Sequence, residues 1–247
     1  MKLILLRHGE SQWNLENRFT GWKDVELTPN GVEEANFAGK QLLAQEITIS
    51  SIHTSLLARA QHTSKIVAEI LQFKKRKIVQ DWRLNERHYG ALEGLNKSET
   101  ASKYGEKQVH IWRRSYDIPP PKLTVEDKRH PRFNKKFKNI PNKSLPSGES
   151  LKMVIERLEP FWIEYIDQIK RNPLNHLIVA HSNSLRAIVK TLDRLSEKEI
   201  ISINIPTGVP LVYEIDKNLS VISKHYLINE DELRLKQDEI ANQGKVK

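Results

Sequence analysis

Residues Leu3 to Asn14 read L-I-L-L-R-H-G-E-S-Q-W-N, an apolar run set directly before an Arg-His-Gly triplet and a polar segment. A run this short, bounded by a glycine, predicts a strand buried on both faces, as in a parallel sheet covered by helices. Arg7 and His8 then stand at the strand's carboxyl end, the edge where open α/β sheets bind ligands. His176 to Asn183 reads H-L-I-V-A-H-S-N and repeats the pattern, delivering His181 to the end of a second run. If the two strands are parallel neighbours, His8 and His181 face one another. A lone histidine at a strand end is more often a polar cap than a ligand. Two in the same structural position, one preceded by an arginine, point to chemistry.

The remaining segments alternate in the same α/β manner. Thr28-Pro29 supplies an N-cap and a first-turn proline for a helix to about Leu43, after the loop Ser11 to Gly21. Ser51-Ile52-His53-Thr54 predicts a strand feeding a helix from about Leu56 to Leu71, with Leu57, Ala60, Ile66, Val67 and Ile70 on its apolar face. Ile78-Val79-Gln80 is a short third strand, and Leu84 to Gly94 a polar loop dense in titratable groups. Two helical pieces broken at Tyr104-Gly105 precede a proline-rich surface excursion, because proline at that density fits neither a helix nor a central strand. Ser150 begins a long helix whose apolar side carries Leu151, Val154, Leu158, Trp162, Tyr165 and Ile169. Helices follow from Ser184 to about Leu192 and near Ser196 to Ser202, then a hairpin of Leu211–Ile215 and Val221–Tyr226. The last residues, from Glu230, begin as a helix and then fray. These elements predict a three-layer α/β fold, with a mostly parallel central sheet and helices on both faces.

The 247 residues allow one such domain carrying an insertion. The chain has no cysteine, which excludes disulfides, thiolate catalysis and zinc sites built on cysteine. No apolar stretch reaches membrane-spanning length, and the amino terminus meets Arg7 and Glu10 before a signal-peptide core could be completed, so a cytoplasmic protein with no membrane partner is expected. The net charge of +9 suits an anionic partner. Much of it lies in Lys74-Lys75-Arg76-Lys77 and between Lys122 and Lys143. Neither segment is patterned as a base-stacking platform, so both are read as solvated surface and no nucleic-acid partner is expected.

The predicted strand ends assemble a pocket of His8, His181, Arg7, Arg59 and Glu86. The two histidines lack the spacing of a metal site and no carboxylate pair accompanies them, so no metal is expected. An imidazole attacks phosphorus through an unprotonated nitrogen, and adjacent guanidinium groups favour that neutral form. The same arginines are permanent bidentate donors for a phosphoryl group in transfer. Glu86 is the candidate proton carrier for the oxygen that gains or loses the phosphoryl group.

R-H-G-E-S-Q-W-N at Arg7 to Asn14 and F-T-G-W at Phe19 to Trp22 closely resemble the histidine phosphatase superfamily. L-N-E-R-H-Y-G-A-L at Leu84 to Leu92, W-R-R at Trp112 to Arg114 and N-I-P-T-G-V-P-L-V-Y-E at Asn204 to Glu214 look like its 2,3-bisphosphoglycerate-dependent phosphoglycerate mutases. The resemblance spans essentially the whole chain. It implies one domain over residues 1–247, with a cover insertion at about 96–147 and a carboxyl-terminal tail at about 230–247. It further implies metal-independent interconversion of 3-phosphoglycerate and 2-phosphoglycerate in glycolysis and gluconeogenesis, primed by 2,3-bisphosphoglycerate, in a homodimer or homotetramer.

By motif position His8 looks like the phosphohistidine, Glu86 the proton donor and acceptor, and His181 the group that stabilises the transition state. Arg7, Arg59 and Asn14 fall where the family holds the transferring phosphate. Ser11, Thr20, Gly21, Arg87, His88, Tyr89, Lys97, Arg113, Arg114 and Asn183 occupy substrate-contacting positions. Ser182 stands where the family has glycine, and Leu145 to Ser150 lacks a threonine before the glutamate. Altered affinity or some phosphate release is therefore expected. A phosphomonoesterase of the same superfamily is the alternative activity, and a basic nucleic-acid binding protein a third reading.

Overall fold

The alternation in L-I-L-L sets two cores at once. In the computed structural model Leu3 and Leu5 are buried against one face of the sheet, with Val154, Leu158, Trp162, Leu185 and Ile188. Ile4 and Leu6 are buried on the other, with Ala38, Leu42, Val67 and Ala68. The structure describes residues 1–73 and 78–243, so Lys74-Lys75-Arg76-Lys77 and the last four residues lie outside the described residues.

Among the described residues six strands, β1 (Lys2–Arg7), β2 (Ser51–Thr54), β3 (Val79–Gln80), β4 (His176–Ala180), β5 (Leu211–Ile215) and β6 (Val221–Tyr226), form one sheet in the order β3-β2-β4-β1-β5-β6. The first four in that order run parallel, and β5 and β6 pair antiparallel. Helices α1 (Gln12–Leu15), α2 (Pro29–Ala44), α3 (Ala58–Ile70), α4 (Lys97–Tyr104), α5 (Glu106–Arg114), α6 (Leu151–Arg171), α7 (Ser182–Leu192), α8 (Glu197–Ser202) and α9 (Glu230–Asn242) complete the chain. The apolar contacts put α2 and α3 on one face and α6 and α7 on the other, which is the expected three-layer α/β arrangement. No helix is long and apolar enough to cross a membrane among the described residues.

Local chemistry sets the boundaries. Thr28 accepts from the Gly31 amide and caps α2, and Ser150 accepts from the Met153 amide and caps α6. Gly105, at φ 87°, breaks α4 from α5 at the expected dipeptide. Pro160 sits within α6 on its exposed side, where the carbonyl it leaves unpaired faces water. The loop expected over Ser11 to Gly21 contains the single helical turn α1.

The proline-rich excursion differs from the expected surface loop. Its lysines are exposed, as expected, but Phe137, Ile140 and Leu145 are buried with Trp22 and Leu57 in a third apolar cluster. Three 3-10 turns, Pro131–Phe133, Lys135–Phe137 and Asn142–Ser144, build this path. Proline forbids regular ladders, yet aromatic and branched side chains on short turns still bury apolar area.

One buried ion pair anchors the loop over residues 84–94. Arg157 on α6 pairs with Glu149 at 2.7 Å, both side chains almost fully buried. It also donates to the carbonyls of Arg83, Asn85 and Glu86, while Glu149 accepts from the His88 amide. Arg157→Ala is expected to lower unfolding free energy by about 3–5 kcal/mol, because Glu149 is left as an uncompensated buried charge. Urea unfolding of variant and wild type measures it.

Candidate active site

Parallel pairing of β1 with β4 matches Arg7 to Ala180 at the last rung, and the His8 amide donates to the Ala180 carbonyl at 3.1 Å. The next residues on the two strands, His8 and His181, therefore meet. Their rings lie 4.9 Å apart between centroids, edge to face. Gly9 lets this strand end approach α2, since a Cβ there would come within 2.0 Å of the Gly31 carbonyl oxygen.

His8 is held in one tautomer. Its Nδ1 is 2.7 Å from the Gly9 carbonyl, which can only accept, so Nδ1 carries the proton. Nε2 keeps its lone pair and accepts from Arg59 Nε at 3.2 Å. Burial, then Arg59, then Arg7 hold the imidazole well below its ordinary titration range. His181 is held down by burial, Arg59 and His8 in turn, and its Nε2 lies 2.7 Å from Ser55 Oγ.

Around His8 the cavity is lined by seven cationic side chains, Arg7, Arg18, Arg59, Lys97, Arg113, Arg114 and Arg186, and one carboxylate, Glu86. Burial and mutual repulsion push Lys97 well down, and push Arg59 and Arg113 to about 10 and Arg186 to about 9. A cavity in which cations depress one another favours an anion. Glu86 Oε1 accepts from the Arg87 amide at 2.7 Å and from the amide and Nδ2 of Asn183 at 3.2 and 2.9 Å. This fixes it to the first turn of α7, whose free amides add to the positive field.

The cavity brings together thirteen residues singled out from the sequence: Arg7, His8, Asn14, Thr20, Gly21, Arg59, Glu86, Tyr89, Lys97, Arg113, Arg114, Ser182 and Asn183. Four others stand behind its wall. Ser11 is buried and hydrogen-bonds Asn14 at 2.8 Å, so it positions that side chain. Arg87 is buried over the Tyr89 ring at 4.7 Å and donates to the Arg113 carbonyl. His88 packs against Trp22, with Nδ1 accepting from the Gly90 amide. His181 is fully buried and touches His8 from behind.

Sequence reasoning missed Arg18, Arg186, Ile240 and Gln243. Arg186 lies one helical turn beyond Ser182, a spacing that could have found it. Arg18 comes to the wall through its backbone bridge to Asn96, for which the sequence carries no signal. Ile240 and Gln243 belong to the tail region expected to cover the pocket. Lys97 Nζ donates to Gln243 Oε1 at 3.0 Å, Arg113 to the Gln243 carbonyl, and Arg114 to the Ile240 carbonyl at 3.5 Å. Of the expected cover insertion, α4 and α5 line the cavity; no lining residue comes from 115 to 147.

The sequence profile described as the histidine phosphatase superfamily (branch 1) matches residues 3–130 and 122–226. Among solved structures, a mycobacterial glucosyl-3-phosphoglycerate phosphatase superposes with TM-score 0.67 at 22% identity, covering 86% of this chain and 92% of its own. The α-ribazole phosphatase from Shigella flexneri gives TM-score 0.66 at 21% identity over 90% and 95%. YhfR of Bacillus stearothermophilus gives 0.64 at 26% identity over 89% and 93%.

The His8 environment predicts a titration. As pH falls through 6.5, His8 stays neutral, because the depressed imidazole takes up its proton only well below that value. Arg59→Ala removes the adjacent cation and raises the His8 midpoint, which histidine-labelled NMR reads directly.

Proposed function

The chain belongs to the histidine phosphatase superfamily, and on that premise we propose that it interconverts 3-phosphoglycerate and 2-phosphoglycerate by passing a phosphoryl group through His8. The observation that carries this reading is the His8 Nε2 lone pair, held 3.2 Å from Arg59 Nε in a cavity with seven cations and one carboxylate. A neutral nucleophile beside permanent cations is what attack on a phosphate requires, since the cations take up charge as the bond forms.

The roles follow from position. Arg7 and Arg59 hold the equatorial oxygens, and Ser182 offers its amide at the start of α7. His181, which the resemblance implies as the group stabilising the transition state, lies buried against the His8 ring and holds it in place. Glu86, anchored by Asn183, moves the proton on the substrate oxygen. Lys97, Arg113 and Arg114, on α4 and α5, are a second set of donors suited to a second anionic group of the same small molecule. This donor set fits 2,3-bisphosphoglycerate, which supplies the priming phosphoryl group when bound.

A cavity of about 70 Å³ lies between these groups, with the tail residues Ile240 and Gln243 on its wall. That favours a compact substrate and a site from which water is excluded during transfer. The sequence motifs across the whole chain add to the mutase reading.

The second reading is a phosphomonoesterase, favoured by the names of similar structures, which include a glucosyl-3-phosphoglycerate phosphatase and an α-ribazole phosphatase. In that case water takes the phosphoryl group from His8. The two are separated by assaying 2-phosphoglycerate formation beside phosphate release in EDTA. The mutase reading expects isomerisation stimulated by 2,3-bisphosphoglycerate; phosphate release alone establishes the esterase.

His8→Ala is expected to abolish the acid-labile phosphoryl group and lower either activity by at least about a thousandfold. Ser182 adds a Cβ and hydroxyl to the cavity wall. Ser182→Gly is therefore expected to change the ratio of isomerisation to phosphate release, measured in the same paired assay.

A further inference from the structure

Glu93, a buried carboxylate, lies outside the cavity wall. Its residue is 6% exposed and follows the turn Gly90–Leu92. Its Oε2 lies 3.2 Å from where a Cβ on Gly21 would stand, and the backbone N–H groups of Trp22 and Lys23 face the carboxylate and favour its ionised form. On the other side of that turn, the carbonyls of Gly21 and Lys23 accept from Arg59 Nη2 and Nη1 at 2.9 and 3.0 Å. The Nε of Arg59 meets His8 Nε2 at 3.2 Å. One short turn therefore has Glu93 on its amides and Arg59 on its carbonyls.

We propose that Glu93 is a positioning residue for phosphoryl transfer: its carboxylate grips the turn whose carbonyls aim Arg59 at His8. Its effect on turnover rests on the function proposed above; its effect on His8 does not. The turn is also held by the Trp22 indole, which donates to the Glu86 carbonyl at 2.6 Å, and by the Lys23 amide, which donates to the Thr20 carbonyl at 3.2 Å, and Glu93 adds a carboxylate that faces it. His88 Nε2 stands 3.9 Å from Glu93 Oε2, and burial keeps that imidazole neutral, at about 3. Lys23 on the turn and Arg129 on the proline-rich segment attract the carboxylate, and Arg59 on α3 feels its charge.

Burial lifts the Glu93 carboxyl to about 7 against the pull of those cations and amides. The ionised group offers lone pairs to both amides, whereas protonation turns one oxygen into a donor. The grip is therefore complete above pH 7 and weakens as pH falls through it. Arg59 then loses its fixed aim.

Two measurements on the full chain test this with Glu93→Ala and Glu93→Gln. The first is the NMR titration of His8 without ligand. The second is kcat and KM for p-nitrophenyl phosphate hydrolysis from about pH 5.5 to about pH 9. Glu93→Ala is expected to raise the His8 midpoint and to lower kcat by about 10- to 100-fold, with KM changed by less than about twofold. Glu93→Gln, whose amide oxygen still accepts, is expected to keep the His8 midpoint and most of kcat while losing the acid limb that wild type shows near pH 7. An unmoved His8 midpoint in Glu93→Ala, or an acid limb retained in Glu93→Gln, overturns the proposal. If wild type hydrolyses no p-nitrophenyl phosphate, the isomerisation assay decides the functional reading and the His8 midpoint still decides the role of Glu93.

Discussion

Parallel hydrogen bonding between β1 and β4 is the constraint from which the site follows. With Arg7 opposite Ala180, the next residue on each chain is a histidine, and both side chains project at the same level. The register is not set by the histidines. It is set by the alternation beneath them: Leu3, Leu5, Ile178 and Ala180 enter one core, and Ile4, Leu6, Leu177 and Val179 the other. A slip of one residue would turn every one of these side chains to the wrong face and carry one histidine away from its partner. Core packing thereby fixes the separation of two groups that contribute little to the core.

The second feature of the molecule is how it holds its buried cations. Arg83 and Arg157, away from the cavity, pair with carboxylates. The cavity arginines mostly do not. Arg7 donates to the Ile205 carbonyl, Arg59 to Gly21 and Lys23, Arg186 to Ile200, and Arg113 to Gln243. A carbonyl fixes a guanidinium in space without neutralising it, so orientation is obtained while the positive charge remains for a ligand. The cost is mutual repulsion in a low-dielectric space, which burial alone would not impose. That cost is relieved when an anion enters, and the same cations add to burial in keeping His8 unprotonated.

Much of this was legible in the sequence, and the reason differs from one part to another. Strands with apolar runs and helices with a 3.6-residue stripe declare themselves locally, which is why β1, β4 and the buried face of α6 were readable from spacing alone. The pairing of the two histidine-bearing strands followed from their shared pattern. The exact wall of the cavity did not, because it depends on which side of a loop each residue turns. Arg87 and Tyr89 are two positions apart, yet Tyr89 lines the cavity and Arg87 packs behind it. Gln243 reaches the wall from the far end of the chain, a contact that no local pattern encodes. The buried part of the proline-rich segment is hidden for a related reason: proline reports what the backbone cannot do, and says nothing about where Phe137, Ile140 and Leu145 are buried.

The tail brings these themes together. α9 has no fully buried residue, so apolar burial does little to fix its place. It is held by polar contacts: Lys236 to Glu34, Gln237 to the Asn204 carbonyl, and the cavity cations to Ile240 and Gln243. Such a seat is weak in water and stronger once the space beneath is dry, because hydrogen bonds to charged donors gain as the local dielectric falls. The cations that attract an anion are the same ones that grip the tail, and guanidinium groups carry donors enough for both. Filling the cavity removes repulsion among those cations and lets them hold the tail with less internal strain. Anion binding and exclusion of water are thus coupled through the same side chains.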